Sequence, residues 1–150
     1  SDPPDSDDAA IFRLIETLDG LVTAYHATED VEPGEDDFEY PSRESLGGWT
    51  EPSITFQRLP PYQCVPHHEH PDQQIDLCDP VNDLSEIADD MKTVVWLAEN
   101  VSENDALWDF RFGFFNHWGW HLFSVRNYLQ THLTWPDWSG GANQNTGSGV

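Results

Sequence analysis

The stretch "RFGFFNHWGWHLFSVRNYL", Arg111 to Leu129, constrains the fold more than any other part of the chain. Its apolar residues recur at threes and fours, the period of a helix and not of a strand. Turned at about 100° per residue, Leu107, Phe114, Trp118, Leu122, Val125 and Leu129 form one wall, which folds only if other elements cover it. Arg111 falls near the middle of that wall, where a guanidinium is tolerated only when paired and hydrogen bonded. Asp89 and Asp90, adjacent carboxylates on a preceding helix, are the strongest local candidates, so Arg111 is predicted to reach at least one of them.

His117 and His121 share one flank of the wall. Histidines four apart on a helix can hold one metal ion, but zinc helices of the metalloprotease type carry a glutamate directly after the first histidine, and here that residue is Trp118. Hydrogen-bonded core histidines are the reading adopted; a metal site and acid/base chemistry are the alternatives. Phe112, Trp120 and Phe123 point away from the wall, so either the middle of the chain folds over them, which is the expectation, or they form a partner surface.

The covering elements are legible in part. Ile11, Leu14, Ile15, Leu18, Leu21, Val22 and Tyr25 make an amphipathic helix from Asp8 to Ala27, with another backbone expected to pack close at Gly20. A second helix is expected to start at Asp83, capped with Glu86, with Leu84, Ile87, Ala88, Met91, Val94, Val95 and Ala98 as its stripe. A third starts at Ser102 with Asp105 and runs to His132, about 45 Å of helix with a bend at Gly113 or Gly119. Residues 28–82 lose the periodicity and hold most of the prolines; "SITFQRL" reads as one short strand and "SRESLGGW" as a helical turn or two. The expected fold is therefore mainly α: a small helical bundle with one long C-terminal helix, an irregular middle segment and one short strand. Residues 1–8 read as a polar leader, 9–135 as a single helical domain and 136–150 as a disordered tail.

The formal charge is −22, from 28 acidic against six basic residues, which repels a phosphate backbone or an anionic membrane surface. Adaptation to high salt, an acidic proteome or a basic protein partner each accounts for it. No apolar run approaches the roughly 20 residues of a spanning helix, and the N-terminal residues lack an export pattern, so a soluble cytoplasmic protein with reduced Cys64 and Cys78 is expected. The spacing Cys64, His67, His70, Cys78 permits a structural zinc site, though a solvated loop is the preferred reading. No cofactor is expected; zinc or another divalent metal is the alternative.

"DLSEIADDM" followed by "DALWDFRFGFFNHWGWHLFSVRNYLQTHL" resembles the bacterial domain-of-unknown-function family 5063, whose members pair an acidic helix with an aromatic one. The resemblance falls on Asp89, Asp90, Trp108, Arg111, Phe114, His117, Trp118, Gly119, His121 and Leu122, and implies a mainly helical fold without an established activity. The candidate polar cluster is thus Asp89, Asp90, Arg111, His117 and His121. A non-enzymatic adaptor or regulatory, immunity-like module that binds another protein, basic in character, is the leading expectation. A metal-dependent or acid/base enzyme built on that cluster is the alternative.

Overall fold

A computed structural model of the chain describes residues 7–35, 37–64 and 75–133. The polar leader up to residue 6, the expected tail, and His67 and His70 of the zinc motif lie outside the described residues. The elements are α1 (Asp7–Ala27), a single turn α2 (Ile54–Gln57), strands β1 (Tyr62–Cys64) and β2 (Asp76–Cys78), α3 (Pro80–Asn100), α4 (Glu103–Asn116) and α5 (Trp118–His132). The mainly α architecture agrees with the sequence. α3 packs against both α4 and α5, and α1 closes the bundle against α5.

α1 buries Ile11, Ile15, Leu18 and Tyr25, the stripe read from the sequence. Gly20 departs from expectation: it is exposed, and an added Cβ would meet nothing within 4 Å. α3 begins one turn earlier than expected, because Asp79 accepts a hydrogen bond from the Val81 amide at 2.9 Å and Pro80 presets the first helical residue. Asp83 is therefore an interior helix residue, free to act elsewhere. Leu97, outside the expected stripe, is fully buried, while Val95 is exposed.

α4 starts as predicted: Ser102 Oγ accepts from the Asp105 amide at 3.0 Å. The single long helix, however, is two helices of 14 and 15 residues, broken at His117, whose φ of −149° and ψ of −86° lie outside the helical region. The cause is local. Trp118 turns back so that its indole Nε1 donates to the Phe110 carbonyl at 2.9 Å and its ring stacks on Phe110. Both glycines make room for this: a Cβ on Gly113 would lie 2.6 Å from Trp118 Cδ1, and one on Gly119 only 1.9 Å from the Phe114 carbonyl oxygen. Beyond the corner the predicted wall holds, with Trp118 1% exposed and Leu122, Val125 and Leu129 at 0%. Each such leucine contributes roughly 1.5–3 kcal/mol through burial.

The middle of the chain differs most. "SITFQRL" supplies the helical turn α2 and not a strand, because the three-residue spacing of Phe56 and Leu59 sets both against the core. The strands lie further on, antiparallel, with Gln63 opposite Leu77. Cys64 and Cys78 are joined in a disulfide with Cα atoms 5.9 Å apart, not reduced as expected. "SRESLGGW" forms hydrogen-bonded turns closed by Gly47 and Gly48, both at positive φ. This strap lies along α3 and does not cover Phe112, Trp120 and Phe123, which remain 51%, 37% and 52% exposed. No helix among the described residues is long and apolar enough to cross a membrane.

Candidate functional site

Four carboxylates line α3 over two turns: Asp83, Glu86, Asp89 and Asp90. Asp83 and Asp89 are 4% and 8% exposed, and a buried carboxylate is tolerable only if donors meet it. At Asp83, one oxygen accepts from the Tyr62 hydroxyl at 2.6 Å and the other contacts His121 Nδ1 at 2.7 Å. Asp89 Oδ1 accepts from the Thr50 hydroxyl at 2.6 Å and the Thr50 amide at 3.2 Å; Arg43 Nε stands 3.0 Å from its Oδ2 and Lys92 Nζ 3.4 Å from Oδ1. Asp90 contacts His117 Nδ1 at 2.7 Å, and Glu86 lies 3.8 Å from the other nitrogen of that ring. Charge-assisted bonds of this kind contribute about 1.5–3 kcal/mol each when shielded.

Two histidine–carboxylate contacts therefore tie the α4–α5 corner to α3, with the imidazole rings edge to face at 4.9 Å. Asp90 and the two histidines come together at this corner. Asp89, one residue away, turns to the strap instead. Arg111 reaches neither aspartate. Its Nη1 donates to the Thr28 hydroxyl at 2.8 Å and the Thr28 carbonyl at 3.1 Å, with the Tyr25 carbonyl at 3.5 Å and Asp30 3.5 Å from Nε. The guanidinium, 4.9 Å from the centre of the Tyr25 ring, caps the C-terminal end of α1, where a cation meets the negative end of the helix dipole. The break at His117 is the reason: a continuous helical wheel merges the faces of α4 and α5, whereas the real α4 presents Arg111 to α1.

A family model for a domain of unknown function (DUF5063) matches residues 58–134. The chain belongs to this family. No curated protein and no solved structure matches it. The DUF5063 segment contains β1, β2, α3, the broken α4–α5 pair and the contacts of His117 and His121 with carboxylates, while Tyr25, Thr28, Arg43 and Thr50 precede it.

Within the DUF5063 segment the electrostatics follow from burial and pairing. The contact to Asp90 raises the His117 pKa above the usual imidazole value, with Glu86 adding to the effect and burial and Arg43 opposing it. Burial, and then the bond to Asp83, push Tyr62 far above the usual phenol range. On α4, burial raises the Asp109 pKa, and its partner Tyr40 is pushed up to about 12 by burial and by Asp109. Each imidazole spends Nδ1 on a carboxylate, and no group of three potential metal ligands forms among the described residues. Cys64 and Cys78 have their sulfurs in a bond to each other, so they do not present the thiolates that the zinc reading needs. Among the described residues, no serine, threonine or cysteine hydrogen-bonds either imidazole.

Sequence reasoning missed Asp83, Tyr62, Arg43 and Thr50. Asp83 and Asp90 are seven apart and so share a helix face, opposite histidines four apart; that complementary spacing was a usable signal. Nothing local marks Tyr62, which reaches Asp83 only through the hairpin and stacks on Tyr128 with ring centres 4.3 Å apart.

Proposed function

We propose that this chain is a non-enzymatic protein-binding module whose partner carries a basic surface. The observation that carries the reading is where the charge goes. Arg43, Lys92, Arg111 and Arg126, four of only six basic side chains, each stand within ion-pair distance of one of the chain's own carboxylates. The remaining surface is acid with little cation to offset it, and such a surface steers basic partners and repels anionic ones. Phe112, Phe115, Trp120 and Phe123 stand exposed around the α4–α5 corner, apolar anchors of the type that dominate interfaces. Buried Asp83 supports the same reading, since each of its oxygens already holds an internal partner and little is left for a substrate. Affinity capture from the native source at physiological salt, repeated at rising salt, tests it: a stoichiometric basic protein released by salt is expected. Recovery of the chain alone sinks the reading.

A second reading rests on one observation: buried Asp83 orients His121, as a carboxylate does in acid/base dyads. If exchanging His117 and His121 for glutamine lowers stability and leaves partner capture intact, that reading is dropped. The same experiments bear on location. Disulfides persist in oxidising compartments, so a cytoplasmic protein would have to keep Cys64–Cys78 closed against a reducing poise; thiol titration of protein isolated under alkylation decides between the two.

A further inference from the structure

Beside the hairpin, β1 and α5 enclose a groove of about 440 Å³, within the ~300–1,000 Å³ of ordinary ligand sites. We infer that this groove takes an extended basic segment of the partner protein, its apolar side chains against Phe123 and its backbone on the carboxamides of Gln63 and Asn127. The inference rests on the protein-binding reading above and specifies where that binding happens.

The lining selects the class of ligand. Among the described residues, no charged side chain lines the groove. Tyr62 and Tyr128, stacked on each other, have their hydroxyls committed to Asp83 and to the Pro60 carbonyl. Gln63 and Asn127 are exposed, and neither carboxamide bonds to another described residue. A carboxamide offers a carbonyl acceptor and an NH2 donor, the complement of a peptide group. Phe123 is 52% exposed at the lip, an apolar contact.

Charge then selects within that class. The cation adjacent in sequence to Asn127 is Arg126, and it is held by Asp19 through two contacts of 2.8 and 2.9 Å and by Gln130. A ligand carboxylate or phosphate would find no counter-ion among the described residues of the groove and a molecule of charge −22 around it. A segment with lysines or arginines flanking apolar residues meets a complementary field outside the groove and apolar rings within it.

The test uses an acetylated, amidated hexapeptide that alternates lysine with leucine or phenylalanine. Two controls accompany it, one with glutamate for lysine and one with glycine for the apolar residues. Titration of the full chain is followed by NMR at the side-chain amides of Gln63 and Asn127 and at the Trp120 indole. The basic amphipathic peptide is expected to shift these signals and to bind at least tenfold tighter than either control. Asn127→Ala and Phe123→Ser should each weaken it at least fivefold with unchanged far-UV circular dichroism, and Val95→Ser, on the exposed side of α3, should leave it unchanged. Equal binding of the glycine control, shifts scattered over the acidic surface, indifference to both groove variants, or a neutral oligosaccharide shifting these signals in place of the peptide overturns the inference. A captured partner whose binding ignores Phe123→Ser removes this groove while leaving the protein-binding reading; absence of any partner removes the reading itself.

Discussion

An alanine at position 119 distinguishes a broken α4–α5 from one long helix by the sign of its effect. In a continuous helix, Gly→Ala gains roughly 0.5–1 kcal/mol from reduced backbone freedom in the unfolded chain. At the corner, the new Cβ would sit 1.9 Å from the Phe114 carbonyl oxygen, 2.9 Å from its carbon and 3.2 Å from its Cα. These are backbone atoms of the preceding helix and cannot swing aside. Relief requires opening the corner by roughly 1 Å or more, at an overpacking cost of about 1–3 kcal/mol. The opening also pulls Trp118 from the Phe110 carbonyl, a buried bond worth about another 1 kcal/mol. A loss of about 2–4 kcal/mol corresponds to a melting temperature lower by roughly 8–16 °C, at about 4 °C per kcal/mol for a domain of this size. Gly20→Ala is the internal control: its Cβ meets nothing, so it is expected to raise stability by about 0.5–1 kcal/mol. Both variants are melted by calorimetry alongside the parent chain. If Gly119→Ala melts at or above the parent temperature, the corner is not built as described and the roles given to His117 and Trp118 fall with it.

Three further outcomes are expected. Tyr62→Phe leaves an oxygen of buried Asp83 without its donor and should cost about 1.5–3 kcal/mol in urea unfolding; a loss below about 0.5 kcal/mol would mean that the hairpin is not anchored there. His117 has a folded-state pKa above the ordinary imidazole value, so its contact with Asp90 stabilises fully below about pH 6.5 and fades as pH rises through the raised value. His117→Gln should remove that decline from the stability profile, and an unchanged profile would assign the decline to other groups. Asp89→Ala takes the acceptor from Thr50, Arg43 and Lys92 together; limited proteolysis should then cut between residues 43 and 50 before any helix is attacked, and a global loss of protection instead would refute the strap's local anchoring.

The legible parts of this fold are those in which periodicity and burial agree. α1 and the wall Trp118, Leu122, Val125 and Leu129 were readable because a three-to-four repeat reports a buried face directly. The corner was half readable: Gly113 and Gly119 marked a weak point, but the break itself comes from Trp118 bonding to Phe110, a tertiary contact across eight residues. Arg111 was misassigned for the same reason, since a wheel assumes one axis where the chain has two. The disulfide could not be told from a pair of thiols by spacing alone, because the hairpin that brings Cys64 to Cys78 has no periodic signal.

The acidic character of α3 and α4 has two roles that composition alone merges. Asp89, Asp105 and Asp109 receive the segment between α1 and α2: Thr50 and Arg43 meet the first, the Gly34 amide donates to the second at 2.8 Å, and the Tyr40 hydroxyl to the third. Asp83 and Asp90 receive the hairpin and the corner. These carboxylates replace a continuous hydrophobic interface for a middle segment that has few apolar side chains to bury, so their negative charge is part of how the chain holds its shape. The other acids lie at the surface, and some of them are paired there, as Asp19 is with Arg126. Like-charge repulsion among them opposes folding at low ionic strength, and the basic partner proposed above would relieve it. Binding and stability are then coupled through the same field: a partner that neutralises the outer acids stabilises the folded chain by mass action, without touching the inner carboxylates that hold the strap and hairpin in place.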